Sequence, residues 1–203
     1  MSPSGRGRTA LATAVVLLAG AGAFLAETEG LRAFTSESAR RLAVARAPRP
    51  LPSVVLRDDR GERLHLPNPG RPMLVDFVYT SCPTLCVTLG ASFARIQERL
   101  GEAGVPPAVQ LLSVSFDPAR DDAPALRAYA EAHGADPTRW RVVLPESEAD
   151  LRTLLEAFGI VVIPDGEGGF VHNAALHLVD RGGRLAAILD PDEIERAVEG
   201  LGG

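Results

Sequence analysis

The sequence is poor in cysteine, with two in 203 residues. That is too few for a disulfide scaffold, and a chain of this length does not need one. It also lacks an excess of positive charge: 21 Lys and Arg stand against 26 Asp and Glu, for a net charge of -5. No basic stripe or patch emerges, which excludes a nucleic-acid partner. Internal repeats and low-complexity tracts are absent. What is present is enough apolar matter for a core: 46% of residues are hydrophobic and 23% charged, so global disorder is excluded. The length fits one domain with a short extension.

One stretch lacks charge altogether. Arg6 and Arg8 precede an apolar run from Thr9 to Ala26 with no charged residue. A positive start before an apolar run leaves the amino terminus in the cytoplasm and exports the rest of the chain. The run is slightly short of the ~20 residues that span a bilayer comfortably. Ala21-Gly22-Ala23 also resembles a signal-peptidase site. Residues 1–26 therefore read as a membrane anchor or a cleaved signal, with the domain on the periplasmic side in either case. Residues 27–50 read as a linker, with a short amphipathic helix within Leu31–Val44 and a proline-rich end, Ala47-Pro-Arg-Pro-Leu-Pro52, that cannot continue it. The remainder, 51–203, reads as one domain.

In that domain, Ser53–Leu56 and Arg63–Leu66 predict a small hairpin. Met73–Tyr79 (MLVDFVY) and Val109–Phe116 are apolar, β-rich runs typical of buried central strands. Pro83 to about Leu100 predicts a helix, with Leu89, Phe93, Ile96 and Leu100 on one face. Asp121 or Asp122 caps a helix running to His133, and Ser147 caps one running to Phe158. A short strand at Arg141–Leu144, a hairpin from Ala174–Val179 and Arg184–Leu189, and a closing helix over Asp192–Leu201 complete the order. This is an α/β arrangement with a mixed, partly parallel sheet flanked by helices. Ligands in such sheets collect beyond the carboxyl ends of the strands, where Thr80–Cys86 falls.

Cys82 and Cys86 follow the first core strand and open its helix. With Pro83 in the first turn, Cys82 is the natural cap and Cys86 lies one turn in, so both sulfurs share a face. The helix N-terminus favours thiolate over thiol. A structural disulfide would close only a short loop and add little. A redox-active dithiol and a soft-metal site remain, and two thiolates suit copper(I) or zinc. Two sulfurs make an incomplete site, so a third ligand is expected. Of the four histidines, His65 and His133 read as surface residues and His177 as a strand packing residue. His172 follows a glycine-rich loop, Pro164-Asp-Gly-Glu-Gly-Gly169, just before a strand, where it can turn towards a neighbouring strand end.

Three segments, Val78-Tyr-Thr-Ser-Cys-Pro-Thr-Leu-Cys86, Val114-Ser-Phe-Asp-Pro-Ala-Arg-Asp121 and Val171-His-Asn-Ala-Ala-Leu-His-Leu-Val-Asp180, resemble the marker segments of the Sco/SenC family. The resemblance spans about residues 50–200 in the right order. It implies a thioredoxin-like fold and a copper ion held by Cys82, Cys86 and His172. It implies a copper chaperone that supplies, or keeps reduced, the binuclear copper site of cytochrome c oxidase subunit II or another copper protein. The implied partners also include a thioredoxin-like reductant. Oxidation of Cys82 and Cys86 to a redox-active disulfide would abolish binding, giving thiol–disulfide exchange as a side activity. The Asp117-Pro118 pair is expected to shape a nearby loop. Departures from the family pattern are Val87 where proline is common, a shorter loop before His172, and Asn173 after it. The rival reading is an exported thioredoxin-like oxidoreductase or thiol peroxidase. The three-residue gap between the cysteines and Tyr79 three residues before Cys82 weigh against it.

Overall fold

The structure is a computed structural model that describes residues 4–28, 35–82, 85–106 and 110–202. Pro83 as helix opener, the first part of the expected 31–44 helix and Val109 as strand start lie outside these residues. The chain divides into two compact units, Met1–Arg46 and Ala47–Gly203.

The first unit holds α1 (Ser4–Glu27) and α2 (Ser36–Arg46). Within α1, the 18 residues Gly7–Phe24 form one helix long and apolar enough to cross a membrane. Its Leu11, Val16, Leu17 and Leu18 are all exposed, as an apolar helix without a protein partner must leave them. In α2 the Thr35 hydroxyl accepts from Ser38 N at 3.1 Å, and Glu37 pairs with Arg40 and Arg41 along the same face.

The second unit is built on an eight-stranded mixed sheet ordered β1-β10-β9-β4-β5-β6-β2-β3. Its strands are β1 (Arg49–Pro50), β2 (Val54–Asp58), β3 (Arg63–Leu66), β4 (Met73–Val78), β5 (Gln110–Ser115), β6 (Trp140–Pro145), β9 (Leu176–Val179) and β10 (Arg184–Leu189). β4, β5 and β6 run parallel; β9 joins β4 antiparallel on one side and β2 joins β6 antiparallel on the other. Every residue of β4 is buried because helices cover both faces, which explains its unbroken apolar run. The helices are α3 (Leu85–Glu102), α4 (Ala123–Ala132), α5 (Glu148–Phe158) and α6 (Ile194–Gly202).

Leu89, Phe93, Ile96 and Leu100 of α3 are completely buried, each contributing roughly 1.5–3 kcal/mol of apolar burial. Phe93 meets Trp140 on this face, and the Trp140 indole N–H donates to Ser113 Oγ at 3.0 Å. On the opposite face, Phe158 of α5 packs edge-on against Phe77 and His177. Asp122 caps α4 and Ser147 caps α5, whose end turns through Gly159 at φ 65°. Two elements go beyond the sequence reading. Arg49–Pro50 pairs with β10, so the proline-rich spacer joins the sheet edge. A separate two-stranded sheet forms from β7 (Val162–Pro164) and β8 (Phe170–His172), on either side of the glycine-rich loop.

Candidate metal centre

The end of β4 turns at once into the cysteine loop. Cys82 N donates to Tyr79 O at 3.2 Å, closing the turn, and Cys86 N donates to Cys82 Sγ at 3.3 Å. The Cys82 sulfur thus accepts a backbone N–H at the start of α3, the role a capping oxygen normally fills. Both thiols are free, and they are buried, 8% exposed at Cys82 and 1% at Cys86. Tyr129 of α4 donates its hydroxyl proton to Cys86 O at 3.0 Å, fixing the first turn from the side.

The electrostatics differ from the sequence expectation. Burial pushes the Cys86 thiol well above its ordinary range, and the neighbouring Cys82 and Asp76 push it further the same way. Desolvation outweighs the helix N-terminus, so Cys86 rests as a thiol and gives up its proton only to a strong competitor such as a soft metal. Asp76, on β4, is fully buried, and neither carboxyl oxygen has a hydrogen-bond partner among the described residues. Burial raises its pKa to about 7, against a weaker opposing pull from Ser113.

The loop after β5 supports the cysteine turn. Asp121 accepts from Thr80 N at 3.0 Å and from Thr80 Oγ1 at 2.6 Å, and also from Ser115 Oγ. It is therefore a clamp on the turn; Asp122 alone caps α4. Asp117 N donates to Ser115 Oγ at 3.1 Å and its carboxylate pairs with Arg120.

His172 is the last residue of β8, 7% exposed, its ring 5.0 Å from that of Phe116. Neither ring nitrogen has a hydrogen-bond partner among the described residues, and burial lowers its pKa. A neutral imidazole with two unsatisfied nitrogens is a ligand in waiting. Tyr79, Phe116 and Phe170 form a ring cluster, with centroids 5.4–5.6 Å apart, between the cysteine turn and this hairpin. The structure brings Cys82 and Cys86 together but does not bring His172 to them: among the described residues, no three His, Cys, Asp or Glu side chains form a metal-binding group.

The other histidines take structural places. His65 is exposed. His133 is half-buried against Tyr129 and Trp140, more enclosed than a surface reading implies. His177 lies wholly buried between Phe77 and Phe158, its Nδ1 3.2 Å from Val75 O. Asp76, Tyr129 and Arg120 escaped the sequence reading. Only Asp76 left a signal there, a lone carboxylate inside the apolar run MLVDFVY.

Comparison with known proteins places this geometry. The SCO1 protein homolog of Bacillus subtilis (strain 168) is 27% identical over 118 residues, 57% of this chain and 60% of that protein, so the match spans less than two thirds of the relative. A SCO1/SenC family lipoprotein from Bacillus anthracis str. Ames superposes with a TM-score of 0.69 at 22% identity, covering 77% of this chain and 96% of that one. Apo Sco1 from Thermus thermophilus gives 0.59 at 27% identity, covering 76% and 90%. Bradyrhizobium japonicum ScoI, solved with copper bound, gives 0.63 at 24% identity, covering 75% and 97%. With the SCO1/SenC family model matching residues 56–200, the fold is thioredoxin-like and the chain belongs to the SCO1/SenC family.

Proposed function

We propose that the protein carries one copper ion as cargo, held by Cys82, Cys86 and His172, and serves cytochrome c oxidase assembly. The acceptor is the binuclear copper site of subunit II. The observation that carries the reading is chemical. Two free thiols meet at one helix start, and a buried imidazole with both nitrogens unsatisfied lies one aromatic ring away, against Phe116. Two soft sulfurs and one imidazole suit copper(I) and leave a position open to an incoming thiol. Relatives solved with copper bound, and one described as a cytochrome c oxidase assembly protein, support the same reading.

The roles follow from the geometry. Loading with copper(I) releases the two thiol protons to solvent, and the high pKa of Cys86 makes uptake pH-dependent. The β7–β8 hairpin, outside the main sheet, is the element that must shift to bring His172 to the sulfurs. Oxidising the pair gives up two electrons and two protons; when the acceptor is a partner's disulfide, that disulfide becomes two thiols and copper binding here is lost. The helix α1 tethers or exports the domain, which we place at 51–203, on the periplasmic side of the membrane.

The test is copper stoichiometry of the reduced full-length protein. One copper per chain is expected, abolished in Cys82→Ser and Cys86→Ser. His172→Ala should weaken the site and change the copper spectrum, whereas His65→Ala should not. Identical behaviour of the two histidine variants rules out His172 as a ligand. Copper-free reductase turnover would point to the dithiol reading, which the buried Asp76 beside Cys86 favours.

A further inference from the structure

The β7–β8 hairpin is fastened at two places. At its base, Asn173 Oδ1 accepts from Val161 N at 2.7 Å and its Nδ2 donates to Gly159 O at 2.9 Å, tying the strands to the end of α5. The tip loop holds its own shape, because Asp165 Oδ1 accepts from Glu167 N and Gly169 N, both at 2.8 Å. What joins this tip to the cysteine side of the molecule is mainly one side chain. Arg120 pairs with Asp117, whose carboxylate side chain is only 6% exposed. The same guanidinium donates to Gly168 O and lies 5.1 Å from the ring centre of Phe170 and 5.9 Å from that of Tyr79. Tyr79 adds a lesser hold, its hydroxyl accepting from Phe170 N at 3.3 Å.

We infer that Arg120 is a positioning residue that clasps the hairpin in the metal-free conformation and so holds His172 back from the thiol pair. This rests on His172 being the third copper ligand. The clasp is made in a state where His172 packs on Phe116 and does not group with the sulfurs. Its contacts therefore stabilise the open site relative to the ligated one. A contact present only in the open state lowers copper affinity by the population it removes from the competent state. Arg120 thereby sets how readily the cargo is taken up and released. A guanidinium suits the task because it satisfies a carboxylate, a carbonyl and an aromatic face at once, which an ammonium cannot.

The sign of the effect is unusual and makes the test sharp. Full-length Arg120→Ala should bind copper(I) about tenfold more tightly than the parent when competed against a chromophoric copper(I) chelator, since one charge-assisted hydrogen bond and one cation–π contact are lost from the open state. The gain should vanish in the Arg120→Ala/His172→Ala double variant, which should match His172→Ala alone. Tyr79→Phe, which keeps the ring and loses the hydroxyl, should move the same way by a smaller factor. In metal-free protein, hydrogen exchange at Phe170, Val171 and His172 should speed up by about tenfold or more in Arg120→Ala. A lowered or unchanged affinity, or a gain that survives loss of His172, overturns the inference. Unchanged exchange in the hairpin overturns it independently of any metal. If His172→Ala binds copper as the parent does, the ligand assignment fails instead, and the exchange result still decides whether Arg120 is a clasp.

Discussion

Asp76→Asn offers a measurement of how strongly this interior resists charge. The Asp76 carboxyl has an ordinary value of 3.8 and is raised to about 7 by burial. Between those values the native state holds a proton that the unfolded chain has released, so stability falls as pH rises through the window. Below pH 4 both states are protonated, and above pH 7 both are ionised; the loss then levels off. The full span amounts to about 4 kcal/mol, at 1.36 kcal/mol per unit. Asparagine keeps the shape and never ionises, so the variant lacks this slope. Urea unfolding of the reduced full-length protein, followed by the fluorescence of its single tryptophan, Trp140, gives both curves. The stability of Asp76→Asn relative to the parent should rise from pH 4 to 7 by about 4 kcal/mol and stay flat above. The amide's own unmet hydrogen bonds shift the difference by a constant and leave the slope untouched. A pH-independent difference would refute the reasoning, because it would mean that Asp76 is solvated or paired in the native state.

Other outcomes depend on single contacts. A Cβ at Gly90 would stand 2.5 Å from the His133 ring, so Gly90→Ala should lower stability by about 1–3 kcal/mol, read as a fall in Tm. Asp58, 2% exposed, keeps two backbone donors but loses its cation in Arg141→Ala; a cost of about 2 kcal/mol is expected in urea unfolding. Protein oxidised to a Cys82–Cys86 disulfide should bind no copper in equilibrium dialysis and regain it on reduction. Expressed in bacteria, the chain should partition with membranes after alkaline extraction if α1 is retained, and Leu17→Asp/Leu18→Asp should release it to the soluble fraction.

The elements that the sequence announced are those whose pattern is local. Buried β4 reads from its apolar run, α3 from its three-to-four spacing, and α5 from Ser147 at one end and Gly159 at the other. The thiol pair was legible because both members sit on one short segment. The hairpin β7–β8 was not, since its strands of three residues straddle a glycine-rich loop and carry no usable period. Nor was the ionisation of Cys86. A helix start argues for thiolate from sequence, but the opposing desolvation comes from side chains far away along the chain, Tyr129 and the buried strand beneath. Arg120 lay in plain sight within Asp117–Asp121, yet its carbonyl partner is 48 residues on. Such a bond has no trace in local spacing.

The unequal depth of the two sulfurs has a chemical consequence. An approaching disulfide or alkylating reagent meets Cys82 first, because its sulfur belongs to the more accessible residue, 8% exposed against 1% for Cys86. The initial mixed disulfide therefore forms at Cys82. Cys86, shielded and still carrying its proton, attacks second, from behind, and expels the partner as a free thiol. The order of events in any exchange is thus written into which cysteine faces out.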